Sequence, residues 1–171
     1  MTARNHIENS KQNTSESIEA LLNHPCFVIS PFYKRYDYDS RVSELEDYLL
    51  DTFLSDYADK LSRILLSLIA SKPFYLELTE INPFHKKNFY GYRSYTDLST
   101  LKLSEIAMLA KKIIKEGGTQ MNVLLLEEQV LITIEDEFSV TVYSKTDADV
   151  FRDIKLLAKN NGLYNFSAIR D

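Results

Sequence analysis

The stretch Met121 to Tyr143, MNVLLLEEQVLITIEDEFSVTVY, constrains the fold more than any other part of the chain. It reads as three short strands joined by two acidic turns. Val123, Leu124, Leu125 and Leu126 form an unbroken apolar run, the pattern of a strand covered on both faces. Val130 to Ile134 alternates, with Val130, Ile132 and Ile134 on one side and Leu131 and Thr133 on the other. Phe138, Val140 and Val142 alternate with Ser139, Thr141 and Tyr143, as in a strand with one wet face. The connections, Glu127-Glu128-Gln129 and Glu135-Asp136-Glu137, lack the Asn-Gly or Asp-Gly of a two-residue turn. They predict loops of about three to five residues and an antiparallel meander.

Helical periodicity surrounds this meander. Ser15 or Ser17 is placed to cap a short helix through Leu22, ended by Pro25. Cys26 to Ile29 reads as a short edge strand. A long helical region runs from about 40 to 71, its apolar face formed by Val42, Leu45, Leu49, Phe53, Tyr57, Leu61, Ile64, Leu65 and Leu68. Ser55-Asp56 inside it is a candidate break. Phe74 to Thr79 alternates as a strand that would join the meander. A second helix, about 104–116, is capped by Ser104 and stopped by Gly117; a third, about 147–161, is capped by Thr146 and closed by Gly162. Leu163 to Ala168 offers a final strand. Strands grouped together with helices before and after predict an α+β fold, with residues 15–171 as a single domain behind a loosely held segment 1–14.

Composition narrows the function classes. The chain has 171 residues, enough for one domain with a substantial core, and a formal net charge of −5. That charge argues against a general attraction to nucleic acid or to anionic membrane. A single cysteine, Cys26, allows no internal disulfide and suits a reducing cytoplasm. No signal peptide or membrane-spanning run is evident, which argues against secretion and membrane insertion.

No constellation with a chemical signature emerges. His6, His24 and His85 have no second histidine or cysteine at ligand spacing, so no metal site is predicted. Cys26 follows His24-Pro25 but sits in no protease signature, and no serine lies in a nucleophile elbow. No cofactor is implied.

Two features remain. Between residues 119 and 153 there are 8 acidic residues and 2 basic ones, with Glu127, Glu128, Glu135, Asp136 and Glu137 at the two turns of the meander. These are either ordinary solvated turn residues or a face that docks a basic partner. The second feature is a pair of aromatic segments, PFYKRYDY (31–38) and PFHKKNFYGY (83–92, with Arg93 and Tyr95 just beyond). Tyr36, Tyr38, Tyr90 and Tyr92 are their candidate binding residues. Such rings plug a helix–sheet seam, form a protein-binding hot spot, or stack on single-stranded bases beside Lys and Arg.

An α+β domain of this charge, with no reaction site, fits a non-catalytic protein-binding role. The expectation is a small cytoplasmic inhibitor or immunity-type protein that neutralises a basic partner such as a toxin nuclease. The alternatives are a regulatory single-stranded nucleic-acid-binding protein using segments 31–38 and 83–95, and an enzyme whose site is assembled from distant residues. An exposed strand edge would also allow a homo-oligomer.

Overall fold

The computed structural model describes residues 14–32, 43–80, 89–145 and 149–167, with side chains in the long helix described from Asp47 onward. Among these residues the fold is α+β: one six-stranded antiparallel sheet and four helices. In chain order the elements are α1 (14–21), β1 (Cys26–Ser30), α2 (Ser43–Ile69), β2 (Phe74–Thr79), α3 (Leu103–Glu116), β3 (Gln120–Leu125), β4 (Val130–Ile134), β5 (Val140–Ser144), α4 (Asp149–Asn160) and β6 (Tyr164–Ser167).

The sheet runs β2-β3-β4-β5-β1-β6. The predicted meander forms its centre, with Val123 opposite Ile132 and Ile132 opposite Val142, and β2 joins it with Leu76 opposite Val123. One expectation fails here. β1 is an interior strand, seated between β5 and β6, with Val28 opposite Thr141 and Phe166. Its five residues carry no local sign of two neighbours that come late in the chain.

Strand alternation divides the side chains between two faces. Leu76, Leu78, Met121, Val123, Leu125, Val130, Ile132, Ile134, Val140 and Val142 point to one face and are buried under α2, α3 and α4. The other face carries Tyr75, Leu124, Leu131 and Tyr143, which pack with Ile18 and Leu21 of α1 and with Leu22 just after it. This second layer helps to bury every residue of β4, which is covered on both sides. β5 keeps the predicted pattern, with Thr141 and Tyr143 half-exposed between buried neighbours.

α2 is one continuous helix of 27 residues; Ser55 and Asp56 do not break it. Asp56 instead pairs with Lys60 one turn on, at 2.7 Å. α2 lies beside α3, to which it is tied by Lys111–Asp59 at 2.6 Å and by Lys115 Nζ donating to Ser55 Oγ at 2.9 Å. α3 begins one residue before its expected cap. Lys102 is the N-cap, its backbone N–H donating to the Glu105 carboxylate at 2.8 Å, and Ser104 lies inside the first turn. Gly117 ends α3 as expected. Thr146, the expected cap of α4, lies outside the described residues, as do 1–13.

At the β2 edge, backbone N–H groups of Tyr95 and Leu98 donate to the carbonyls of Leu78 and Leu76 at 2.9 and 2.7 Å. The 95–98 loop thereby shields that edge from pairing with another chain.

Candidate functional site

Antiparallel pairing sends the two acidic turns to opposite ends of β4. The β3–β4 turn, residues 126–129, sits where α2 returns to β2. Glu128 forms an ion pair with Lys72, and the Leu126 N–H donates to the Pro73 carbonyl at 3.1 Å. Glu127 is exposed. This turn thus works as a strap across the α2–β2 corner.

The β4–β5 turn, residues 135–139, closes the other end. The Glu135 N–H donates to Ser139 O at 2.9 Å, and Glu137 takes the left-handed conformation at φ 55°. The Glu137 N–H donates to Ile114 O at 2.8 Å, which docks the turn on the last turn of α3. Gly117, at φ 65°, follows immediately; a Cβ there would lie 2.8 Å from the Asp136 carboxylate. Only glycine lets helix end and turn approach so closely.

Aromatic rings gather under this turn. Phe138 packs edge-on against Phe32 at 4.9 Å between ring centres and against Tyr57 at 5.3 Å, and Phe32 reaches Phe53 of α2 at 5.8 Å. Tyr57 is fully buried, and its hydroxyl donates to Ile29 O at 2.6 Å and lies 3.3 Å from Phe138 O. Burial pushes its phenol well above the ordinary range. The knot therefore joins β1, α2 and the β4–β5 turn.

The second aromatic segment arrives at the same end. The Tyr90 ring packs partly against the core, and its hydroxyl donates to Gly117 O. Its phenol is pushed up to about 12, by burial first and then by the charges of Glu116 and Asp136. Tyr92 is half-buried against the same core, its N–H donating to Phe89 O at 2.9 Å. Glu135 is also raised, by burial and then by Asp136, with a hydrogen bond from Ser139 acting the other way. Asp136 and Glu116 are exposed.

Of the residues singled out from sequence, Glu135, Asp136, Glu137 and Tyr90 thus come together, while Tyr92 packs against the core and Glu127 and Glu128 lie at the far end. Tyr36 and Tyr38 are outside the described residues. Sequence reasoning missed Phe53 and Tyr57, read only as core, and Phe138, read as a strand residue; the acidic tripeptide directly before Phe138 was the available signal.

One other polar group stands out, on the sheet face that carries α1. Glu77 is 6% exposed and Asn122 is 3% exposed. The Tyr75 hydroxyl donates to the Glu77 carboxylate at 3.0 Å, and Gln120 Nε2 donates to Asn122 Oδ1 at 2.6 Å. Burial raises the Glu77 carboxyl against the opposing pull of hydrogen bonds from the Tyr75 hydroxyl and the Asn122 amide. These partners all stand on neighbouring strand positions, so the group satisfies itself within the sheet. Among the described residues no three His, Cys, Asp or Glu converge as metal ligands, and no helix is long and apolar enough to cross a membrane. Set beside known protein families, curated proteins and solved structures, the chain matches none of them.

Proposed function

We propose that this chain is a non-catalytic, stoichiometric protein-binding domain: a small acidic inhibitor of immunity type, acting in the cytoplasm on a basic partner such as a toxin nuclease. The observation that carries this reading is the convergence of the acidic β4–β5 turn, Tyr90 and the Phe32–Phe138–Tyr57 knot at one end of the sheet. Exposed carboxylates over a braced aromatic base suit recognition of Lys and Arg. The carboxylates steer and select, and the rigid base limits the entropy lost on binding. The net charge of −5 adds long-range attraction to a basic partner.

Single-strand stacking draws less support, because Tyr90 spends its hydroxyl and part of its ring on holding the loop to α3. The test is a partner pull-down with nuclease treatment, followed by affinity and salt dependence for the protein retained. Reversing Glu135, Asp136 and Glu137 to Lys should weaken binding by roughly tenfold or more, chiefly through slower association. Reversing Glu127 should change it little. Unchanged affinity and salt dependence in the triple variant would overturn the assignment.

A further inference from the structure

β2 is the outermost strand of the sheet, and Glu77 sits near its middle. Alternation puts Tyr75, Glu77 and Thr79 on the face that carries α1, while Leu76 and Leu78 enter the core. Glu77 is buried, and a buried carboxyl ordinarily keeps a cation beside it. Here, among the described residues, its hydrogen bonds come from neutral donors only: the Tyr75 hydroxyl at 3.0 Å and Asn122 Nδ2 at 3.5 Å. No ion pair among the described residues involves β2.

Along the outer side of β2 lies the 95–98 loop, a strap bonded to the strand at two points. The Tyr95 and Leu98 N–H groups donate to Leu78 O and Leu76 O, the two residues that flank Glu77. Leu98 anchors the strap in the core, and Tyr95 holds it in a left-handed conformation at φ 52°, which is costly for a bulky side chain. Between the two bonds stands Asp97, its carboxylate accepting the Ser99 N–H at 2.9 Å. The charge of Asp97 acts against ionisation of both Tyr75 and Glu77. The other described groups around Glu77 add no charge. Tyr75 faces it as a neutral phenol, Asn122 and Gln120 of β3 are amides bonded to each other at 2.6 Å, and α1 turns Ile18 and Leu21 to the sheet while Glu16 and Glu19 stay exposed.

We propose that Glu77 is a proton-operated catch on this strap. With a proton on Glu77, the strap stays bonded along β2 and the sheet edge is closed. Once Glu77 ionises, a buried charge without a counter-ion sits between the two anchoring residues, with Asp97 nearby. Loosening the strap takes Asp97 away and admits water to the strand, so the ionised form favours the open edge. Folding raises the Glu77 carboxyl, by burial first, with Asp97 adding to it. Closure is therefore fullest below the ordinary glutamate value of 4.5 and is lost as pH climbs through the raised one. The catch works at the β2 edge, away from the acidic β4–β5 turn, and stands whether or not the chain binds a basic partner.

The test is amide hydrogen exchange of the full chain from about pH 4 to about pH 8, read as protection factors so that the intrinsic pH dependence of exchange drops out. The Tyr95 and Leu98 amides report the strap, and the amides of β4 serve as the internal reference. In wild type, protection of the strap relative to β4 should fall by about threefold or more as pH rises. Glu77→Gln keeps the shape of the neutral carboxyl, so its strap should stay protected throughout. Asp97→Asn still accepts the Ser99 N–H but lacks the charge, and it should shrink the fall. Being an exposed change, it keeps the catch testable even if the glutamine variant does not fold. A wild-type strap whose protection relative to β4 holds steady with pH overturns the catch. So does a fall that persists in Glu77→Gln or, where that variant is unfolded, one undiminished in Asp97→Asn.

Discussion

The two turns of the meander look alike in sequence, Glu-Glu-Gln against Glu-Asp-Glu, and do different work. The β3–β4 turn spends its charge internally. Glu128 is neutralised by Lys72, and Leu126 is bound to Pro73. The β4–β5 turn is braced from beneath by backbone bonds and rings, which leaves Asp136 exposed above. An acidic turn is thus available to a partner when neutral contacts hold it in place. It is unavailable when its carboxylates are the means of holding it.

That contrast can be broken at several points. The largest effect is expected from Phe138→Ala. It empties the centre of the aromatic knot, and chemical denaturation should report a loss of about 2–4 kcal/mol; a loss below about 1 would mean the turn is not braced by its rings. Gly117→Ala puts a methyl group against Asp136 at a positive φ and should cost about 1–3 kcal/mol by the same measurement. An unchanged midpoint would deny the close approach of α3 to the turn. At the other end, Lys72→Met leaves the Glu128 carboxylate, 16% exposed, without its cation. A loss of about 1–2 kcal/mol is expected by the same measurement; an unchanged midpoint would mean the ion pair does not hold that corner.

Two smaller effects sharpen the comparison. Glu135 has its carboxyl raised on folding, so it contributes stability while protonated and loses that contribution as pH climbs above the ordinary glutamate value of 4.5. Melting curves of wild type and Glu135→Gln should therefore agree in acid and diverge toward neutrality, with the variant the more stable; the opposite divergence would mean a cation stabilises that carboxylate. Glu127→Lys should change stability by no more than about 0.5 kcal/mol, because the side chain is exposed.

Much of the fold was legible where apolar spacing is local. The meander, β2, the final strand and the helices all declare themselves through periods of two and 3.6. Three details did not. β1 looks like an edge because pairing with β5 and β6 depends on residues far along the chain. What covers the Leu131 side of β4 is not written locally, because α1, which packs on Leu131, comes from the opposite end of the sequence. Ser55-Asp56 looks like a helix start, yet the helix continues through it, with Ser55 bonded to Lys115 and Asp56 to Lys60. The site was legible as residue types and not as a place. Glu135 and Tyr90 are separated by a whole helix, and only the docking of α3 against the β4–β5 turn brings them to one end.

The interior position of β1 also bears on how the chain reaches its native state. The central strands β3, β4 and β5 are joined by short turns and can pair early. β1 pairs with strands that come roughly a hundred residues or more later, a topology that sets folding on the slower, millisecond-to-second side of the range for small domains. Until β1 arrives, the apolar edge formed by Val140 and Val142 has no neighbour, and a partly folded chain offers it to other chains as a template. The Tyr57 hydroxyl, bound to Ile29 near the end of β1, then acts as a latch on this late-arriving strand. Tyr57→Phe should raise the unfolding rate more than it lowers the folding rate.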